Sequence, residues 1–372
     1  MTIKKLLIAN RGEIASRIIK SAHQMGISTV AIYTDPDANS PYVREAKEAF
    51  KLDSSYLDAK TIIEIATTAN VDAIHPGYGF LSENSNFANL VSKSNIKWVG
   101  PSANAIKKMG DKLTAKKLSE KANVPTLPMT SDPKEAKKIG YPLLIKAAAG
   151  GGGKGMRIVK SQKDLKESIA SAQREAEGGF GDKRVFIERY IAKSRHIEIQ
   201  ILGDSYGNIV HLGERECSIQ RRHQKVVEES PSPVVDEELR NKMGAAAIKI
   251  ASLLKYESAG TVEFLFDETT KEFWFLEVNT RLQVEHPVTE EVTGIDLVRE
   301  QLKIANGEPL DFSQEDIEWF GSSIEVRLYS EDPGNNFLPV TGKLIAFEPT
   351  EDPLVRWDTG VETGSEITPN FD

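Results

Sequence analysis

Glu263 and Glu277 lie in two neighbouring apolar segments that are predicted to pair as the strands of a β-hairpin. Because side chains alternate between the faces of a strand, a turn centred near Thr270 fixes which residues lie opposite each other. The expected opposed pairs are Glu263 with Glu277, Leu265 with Phe275, and Phe266 with Trp274. Two opposed carboxylates repel each other unless a proton or a cation lies between them. With the Asn279 amide oxygen on the same face, the pattern predicts a site for one or two Mg²⁺ ions, which prefer oxygen ligands.

The same face continues through Arg281, Gln283 and Glu285 if the chain remains extended beyond the hairpin. An arginine beside metal ligands is suited to hold an anion, and a nearby glutamate is a candidate general base. The alternative is the solvated polar face of an ordinary antiparallel sheet, whose other face would be equally apolar. The opposed carboxylates favour a functional site.

The N-terminal part is predicted to contain a parallel sheet covered by helices. Strands at 4–9 and 28–33 flank a helix at 13–25, which makes a βαβ unit. A later strand ends in H-P-G-Y-G-F-L-S-E-N, and open α/β sheets bind ligands at the carboxyl ends of their strands. Tyr78 and Glu83 of this loop either face a substrate or belong to a simple turn. The first βα loop contains one glycine, so the dinucleotide-binding fingerprint is absent.

Two lysines are placed to bind an anion near a glycine-rich hairpin. Gly110 is predicted to end one helix and Asp111 to cap the next. Lys112 then lies in the first turn, where its charge opposes the helix dipole unless an anion is bound. Lys146 lies on the strand that enters the glycine run at 150–155. An apolar strand follows the run, so the run fits neither a dinucleotide-binding loop nor a Walker loop. The segment is predicted to be a hairpin whose tip covers phosphates with its backbone N–H groups.

Further candidates lie later in the chain. The strand edge from Glu188 to Ile191 can hydrogen-bond a purine through its backbone, and His196 can reach a ribose, although both are also typical of ordinary sheet. The basic run from Gln220 to Lys225 is either a solvated loop or an anion site. Arg327 shares a predicted strand face with Glu325, and a structural ion pair is the alternative to a catalytic role.

Composition and charge exclude several classes of protein. A chain of 372 residues is long enough for two or three domains and a large core. The net charge of −8 argues against general binding to nucleic acid or to an anionic membrane, so neither partner is expected. Cys217 is the one cysteine, which excludes an internal disulfide and predicts a reducing, cytoplasmic location. The N-terminal segment enters a strand at once, and no segment is apolar for long enough to span a bilayer.

Four separated strings give the sequence a resemblance to a known family. They are H-P-G-Y-G-F-L-S-E-N, G-G-G-G-K-G-M-R, E-C-S-I-Q-R-R-H-Q-K-V-V-E-E and N-T-R-L-Q-V-E-H-P-V-T-E. Together they resemble the biotin carboxylases of the ATP-grasp superfamily, over essentially the whole chain. The resemblance implies an α/β and α+β fold with an N-terminal parallel α/β (pre-ATP-grasp) domain at 1–111. This domain is followed by an ATP-grasp domain at 112–310, which has a mobile glycine-rich lid at about 127–190. The start of a truncated mixed C-terminal domain lies at 320–372.

The resemblance also assigns roles to individual residues. The implied ATP-contacting residues are Lys112, Lys146, Gly151, Gly152, Gly153, Glu188, Ile191, His196, Gln220, His223 and Leu265. The implied metal ligands are Glu263, Glu277 and Asn279, in agreement with the hairpin argument. The implied bicarbonate site comprises Lys225, Arg281, Gln283 and Val284, with Glu285 as the base and Arg327 as the residue that stabilises the biotin enolate.

The implied activity is that of an ATP-dependent ligase that forms a C–N bond. ATP and bicarbonate, with Mg²⁺ or Mn²⁺, would give carboxyphosphate, whose CO₂ would carboxylate biotin on a carrier protein. The implied partners are a biotin carboxyl carrier protein, a second copy of the chain in a homodimer, and a carboxyltransferase subunit. The ending H-P-V-T-E favours an acyl-CoA carboxylase that acts on acetyl-CoA or propionyl-CoA. The alternatives are a two-subunit pyruvate carboxylase, another bicarbonate- or carboxylate-using ATP-grasp ligase, and an inactive nucleotide-binding subunit or fragment.

Overall fold

The structure is a computed structural model that describes residues 2–149 and 156–371. A parallel sheet near the N-terminus contains β1 (Lys5–Ile8), β2 (Ser28–Tyr33), β3 (Glu48–Lys51), β4 (Ala73–His75) and β5 (Lys97–Trp98), in the order β3-β2-β1-β4-β5. The helices around it are α1 (Gly12–Gln24), α2 (Pro41–Glu45), α3 (Ala59–Thr68), α4 (Ser85–Lys93) and α5 (Ala103–Met109). Leu6 and Ile8 pack with α1, whereas Leu7 packs with α3 on the other face. The predicted helix-covered parallel sheet is therefore confirmed.

A smaller antiparallel sheet follows helix α6 (Lys112–Lys121). This small sheet contains β6 (Met129–Thr130), β7 (Leu143–Ala147), β8 (Arg157–Val159) and β9 (Val185–Arg189), in the order β6-β9-β7-β8, with helices α7 (Ala136–Ile139) and α8 (Gln162–Phe180). Asp111 caps α6 by accepting a hydrogen bond from the backbone of Thr114, as predicted. β7 and β8 pair as the predicted hairpin. The glycine run at its tip, residues 150–155, lies outside the described residues.

A large antiparallel sheet forms the centre of the molecule. It contains β10 (Ser194–Gly203), β11 (Ile209–Arg221), β12 (Gln224–Ser230), β13 (Ser258–Asp267), β14 (Phe273–Asn279) and β15 (Ser323–Val326), in the order β14-β13-β10-β11-β12-β15. The buried face of β10 carries Ile197, Ile199 and Ile201, which share a core cluster with residues of helix α9 (Glu237–Leu254). Because side chains alternate along a strand, the polar face carries His196, Glu198 and Gln200.

The register of the β13–β14 hairpin differs from the prediction beyond the two glutamates. Glu263 does lie opposite Glu277, but Phe275 lies opposite Phe264 and Trp274 opposite Leu265. A β-bulge at Leu276 causes the difference, because it adds one unpaired residue to β14 and shifts the rest of the pairing. The predicted pairs of Leu265 with Phe275 and of Phe266 with Trp274 were wrong. Phe275 consequently lies in the hydrophobic core with Phe264 rather than on the face of Glu263.

The predicted extended run from Asn279 to Glu285 is also wrong. β14 ends at Asn279, and helix α10 (His286–Thr293) begins directly after Glu285. Pro287 lies in the first turn of α10, where its missing N–H and fixed φ favour a helix start. Left-handed Gly294 ends α10, and a second helix, α11 (Leu297–Asn306), follows.

The C-terminal part contains short strands. These are β16 (Glu331–Asp332), β17 (Leu338–Pro339), β18 (Gly342–Lys343) and β19 (Glu366–Ile367). β16 pairs with β17 and β18 with β19, while β15 joins the edge of the large sheet through β12. Short 3₁₀ helices lie at Asp35–Asp37, Gln314–Asp316 and Pro333–Asn335. Over the residues described, none of the helices has the length and apolar character needed to cross a membrane.

Candidate active site

The predicted metal ligands lie together on the polar face of β13 and β14. Glu263 is buried, and its Oε1 accepts a hydrogen bond from Asn279 Nδ2 at 2.7 Å. Its other oxygen, Oε2, lies 2.8 Å from His196 Nε2. Glu277, directly opposite, is more exposed and has Oε2 at 3.3 Å from Lys112 Nζ. Two carboxylates and an amide on adjoining strands offer the hard oxygen donors that Mg²⁺ prefers, so the residues present fit the expected metal.

Lys225 connects these ligands to the predicted base. Its ammonium lies 2.5 Å from Glu198 Oε2, 3.0 Å from Glu263 Oε1 and 2.6 Å from Glu285 Oε1. We call these four residues the Lys225 cluster. Burial alone would lower the pKa of Lys225, but the three carboxylates raise it well above its ordinary value. Burial alone would likewise raise the pKa of Glu263, but Lys225 and His196 outweigh burial and hold that pKa well below its ordinary value. Lys225 and Glu263 are therefore both charged at neutral pH.

The basic run that contains Lys225 folds as a tight hairpin between β11 and β12. Arg222 and His223 form the turn, and both have positive φ, as a type I′ turn requires. Gln220 and Lys225 are cross-strand partners beside this turn. Arg222 and His223 are exposed, whereas the Lys225 side chain is largely buried. The tip of the run is thus solvated, and Lys225 at its end reaches the charged cluster, while the anion site stays a prediction.

Glu285 lies between Lys225 and Arg327. Its Oε2 is 2.9 Å from Arg327 Nη2, and the side chain is buried. Burial alone would raise the pKa of Glu285, but Lys225 and Arg327 lower it below its ordinary value. Arg327 also donates through Nε to Glu228 Oε1 at 2.7 Å. The ion pair of Arg327 with Glu325 that the sequence left open is replaced by pairs with Glu228 and Glu285.

Arg281 lies at the mouth of the site, where the H-P-G-Y-G-F-L-S-E-N loop reaches it. Glu83 of that loop accepts from Arg281 Nε at 2.9 Å and from the backbone N–H of Thr280 at 3.1 Å. Tyr78 of the same loop donates to Glu13. The loop is therefore more than a turn, because its Glu83 holds one of the candidate anion-binding arginines.

Gln283 and Val284 occupy the short segment between β14 and α10. The Gln283 side chain is buried, and its Nε2 donates to Glu263 Oε1 at 3.1 Å. Val284 is half-buried in the turn that precedes α10. The segment is not extended, yet its side chains still reach the site. The turn into α10 brings Gln283 to Glu263 and Glu285 to Lys225.

The small sheet contributes a buried pair of charges. Lys146 Nζ lies 2.6 Å from Glu188 Oε2, and Lys116 of α6 contacts the other oxygen of Glu188. Burial alone would raise the pKa of Glu188, but Lys146 and Lys116 lower it. Helix α6 also joins the two sheets, because the backbone N–H of Lys112 donates to the carbonyl of Ala148 at 3.1 Å. Lys112 thus reaches the large sheet through Glu277, whereas Lys146 is buried against Glu188 of the small sheet.

The remaining predicted ATP contacts are partly brought together. His196 is the cross-strand partner of Leu265, and its Nδ1 lies 3.0 Å from Gln220 Nε2. Ile191 follows β9 and is half-buried. His223 lies in the exposed β11–β12 turn rather than inside the site. Gly151, Gly152 and Gly153 lie outside the described residues.

Sequence reasoning missed three charged residues of the site. Glu198 alternates with isoleucines along β10, a pattern that does not distinguish it from an ordinary sheet residue. Lys116 was an unremarked residue of a helix, and Glu228 followed the basic run without any pattern of its own. Four residues apart on α6, Lys112 and Lys116 share a helix face, which is the signal that could have indicated Lys116.

Comparisons with known proteins agree with this geometry. The family model of the biotin carboxylase N-terminal domain matches residues 2–106, and that of the biotin carboxylase C-terminal domain matches residues 325–372. The model of the carbamoyl-phosphate synthase L chain ATP-binding domain matches residues 111–313. Biotin carboxylase 1 of Bacillus subtilis is 49% identical over 383 residues, which cover 100% of this chain and 85% of that protein. The chain belongs to the biotin carboxylase family.

Other similar proteins of the family include longer chains, and they are named as parts of different carboxylases. The alpha subunit of methylcrotonoyl-CoA carboxylase of Arabidopsis thaliana is 48% identical over 384 residues, and the chain spans 52% of its length. A propionyl-CoA carboxylase alpha chain of Ruegeria pomeroyi and a pyruvate carboxylase subunit of Methanothermobacter thermautotrophicus match at 49% and 48% identity. The biotin carboxylase domain of 2-oxoglutarate carboxylase of Hydrogenobacter thermophilus superposes with a TM-score of 0.97 at 44% identity, over 100% of this chain and 84% of that one. That protein was solved as a dimer with MgADP, ADP and bicarbonate.

Proposed function

We propose that this chain carboxylates biotin on a carrier protein, using ATP and bicarbonate through carboxyphosphate. The observation that carries the proposal is the Lys225 cluster, which joins a candidate metal ligand, Glu263, to a candidate base, Glu285, through one ammonium. Arg281 donates to Asn279, which itself donates to Glu263, and Arg327 pairs with Glu285. A site of this kind can hold an anion, remove its proton and stabilise a second anion formed beside it.

In the first half-reaction, Lys225, Arg281 and Gln283 would bind bicarbonate beside Val284, and Glu285 would take its proton. The cations that lower the pKa of Glu285 make it a weak base while they remain paired with it. When Lys225 turns toward bicarbonate, it shares its charge with the substrate, and the affinity of Glu285 for the proton rises. Substrate binding would in this way prepare the base.

ATP would lie between the small and large sheets. Lys112 and Lys146 would neutralise its phosphates, and the backbone from Glu188 to Ile191 would bind the purine. His196, Gln220, His223 and Leu265 would complete the nucleotide contacts with Gly151, Gly152 and Gly153. Mg²⁺ or Mn²⁺ held by Glu263, Glu277 and Asn279 would supply positive charge for phosphoryl transfer.

In the second half-reaction, carboxyphosphate would split into CO₂ and phosphate, and the phosphate would take the proton of the biotin ureido nitrogen. Arg327 would stabilise the negative charge that develops on the ureido oxygen. Its pairing with Glu285 supports this role, because bicarbonate would lose its proton to Glu285. CO₂ released from carboxyphosphate would then be close to the biotin anion, so that the C–N bond forms before CO₂ escapes.

The partners and the acyl acceptor are part of the same proposal. A biotin carboxyl carrier protein, a second copy of the chain and a carboxyltransferase subunit are the proposed partners. The proposed domains are 1–111, 112–310 with a lid at about 127–190, and 320–372. The ending H-P-V-T-E supports an acyl-CoA acceptor, acetyl-CoA or propionyl-CoA. Pyruvate is the second candidate, because the pyruvate carboxylase relative is almost as similar in sequence.

The test compares two arginine variants in two assays. One assay measures bicarbonate-dependent ATP cleavage, and the other measures carboxylation of free biotin. Arg281→Ala should abolish bicarbonate-dependent ATP cleavage, because bicarbonate is no longer held. Arg327→Ala should slow biotin carboxylation by roughly 10²–10³-fold while ATP cleavage falls far less, because one preorganised donor to the developing charge is lost.

Arg299→Ala is the matched control, because Arg299 is an exposed arginine of α11. It should leave both activities unchanged. Equal loss of both activities in Arg327→Ala, with the fold intact, would show that Arg327 has no separate role. Absence of bicarbonate-dependent ATP cleavage by the unaltered chain would refute the proposed function itself.

A further inference from the structure

Arg215 of β11 is a fully buried arginine that the activity proposed above does not use. Each of its five N–H donors has a partner on a different part of the site. The contacts are Nε with Glu198 Oε1 at 2.6 Å, Nη1 with Gln200 Oε1 at 2.7 Å and Thr289 Oγ1 at 2.9 Å, and Nη2 with Thr261 Oγ1 at 3.0 Å and Gln283 Oε1 at 2.9 Å. A guanidinium has five donors in a rigid plane, so this set of contacts leaves it no freedom to rotate.

Two of these partners belong to the candidate active site. Glu198 uses one oxygen for Arg215 and the other for Lys225. Gln283 uses its carbonyl oxygen for Arg215 and its Nε2 for Glu263. Arg215 thus fixes one end of each side chain. The other carboxylate oxygen of Glu198 contacts Lys225, and the amide N–H of Gln283 contacts Glu263.

The orientation of the Gln283 amide decides what it can bind. An amide carries a carbonyl oxygen, which accepts, and an NH₂ group, which donates. An anion is attracted by the NH₂ group and repelled by the oxygen. Because Arg215 can only donate, it fixes the carbonyl oxygen toward itself, and the NH₂ group must then face the site.

We propose that Arg215 is a positioning residue for bicarbonate, which acts by locking Gln283 with its amide N–H toward the anion and Glu198 against Lys225. The inference rests on the proposed function and adds to it a residue that does not touch the substrate. A purely structural role would predict lost stability without any change in affinity for bicarbonate. The two roles can therefore be distinguished by a measurement on the substrate.

The experiment uses Arg215→Met and Arg215→Lys in the full chain. Michaelis constants for bicarbonate and for ATP are measured in the bicarbonate-dependent ATP cleavage assay, and bicarbonate binding is measured directly by ¹³C NMR titration. In Arg215→Met the KM for bicarbonate should rise about tenfold, the effect of one lost hydrogen bond to a charged group, with the KM for ATP within about twofold. Arg215→Lys keeps the charge but loses the fork, and it should show a smaller rise in the same constant.

A double-mutant cycle with Gln283→Ala tests the route of the effect. If Arg215 acts through Gln283, Arg215→Met should add little to the bicarbonate KM once Gln283 is absent. Arg240→Met is the matched control, because Arg240 pairs with Glu214, the neighbour of Arg215 on the same strand. It should destabilise the protein and leave the bicarbonate KM unchanged.

Several results would overturn the proposal. An unchanged bicarbonate KM in a folded Arg215→Met variant would do so, as would fully additive effects in the cycle. If Arg215→Met does not fold, an unchanged bicarbonate KM in Arg215→Lys would overturn it equally. If the unaltered chain binds bicarbonate but does not cleave ATP, the proposed function fails, and weaker binding by the Arg215 variants would still support the positioning role.

Discussion

Glu228 gives the structure a testable dependence of stability on pH. It is fully buried on β12, directly opposite Glu325 on β15. Among the described residues, one oxygen of each carboxyl group is buried without a hydrogen-bond partner. Burial raises the pKa of Glu228 to about 7, an effect that Arg327 opposes and Glu285 reinforces. We therefore expect Glu228 to hold a proton in the folded protein at a pH where the unfolded chain has lost it.

The sign and size of the effect follow from this difference. A carboxyl group with a raised pKa contributes its stability below its ordinary pKa of 4.5 and loses it as the pH rises through about 7. The shift corresponds to about 3 kcal/mol in the free energy of unfolding, lost mostly between about pH 4.5 and about pH 7. Glu228→Gln is neutral at every pH, and its amide oxygen can still accept from Arg327. The variant should therefore be close to the original protein at low pH and more stable at high pH.

The assay is chemical denaturation of both proteins at about pH 5 and about pH 8.5. The difference in unfolding free energy between variant and original should increase by up to about 3 kcal/mol in favour of the variant. Glu272→Gln, a change of the same charge at an exposed position, controls for the loss of charge alone and should show no comparable trend. A difference that is the same at both pH values would mean that Glu228 is ionised throughout, and the burial argument would be wrong.

Three further predictions concern other buried groups. Glu188→Gln should lower the free energy of unfolding by about 3–5 kcal/mol, because two buried lysines lose their common carboxylate. Chemical denaturation measures this loss, and a loss near zero would contradict the burial of these charges. Lys225→Met should abolish bicarbonate-dependent ATP cleavage and destabilise the protein more at neutral than at acidic pH, since protonation relieves three facing carboxylates; equal destabilisation at both pH values would contradict this. Gly244→Ala should lower the free energy of unfolding by about 1–3 kcal/mol, because its Cβ would lie 2.3 Å from His211 Nε2. Gly178→Ala, in open space on α8, should be neutral or stabilising. A thermal unfolding series that ranks the two variants in the opposite order would refute the packing argument.

The sequence alone was sufficient for features that depend on local periodicity. Alternation along β10 and β13 placed the polar side chains on one face. The pairing of Glu263 with Glu277 was predicted correctly, but it depends on the bulge at Leu276, because the pairs nearer the turn are shifted by one residue. The cap at Asp111 and the hairpin around the glycine run were likewise predicted from residue types and spacing. These features involve residues close in sequence, so the physical rules that fix them are visible in a short window.

The tertiary structure decided what depends on residues far apart in sequence. The bulge at Leu276 moved Phe275 into the core, and no local pattern distinguishes a bulged strand from a regular one. Arg327 has two charged neighbours, Glu228 on β12 and Glu285 just before α10, whereas the sequence offered only Glu325, its near neighbour along the chain. Lys225 gains three carboxylates from two other strands and the start of a helix. Which buried charges meet is set by how sheets and helices pack, because burial makes each charge depend on its particular partners, and packing is a property of the whole chain.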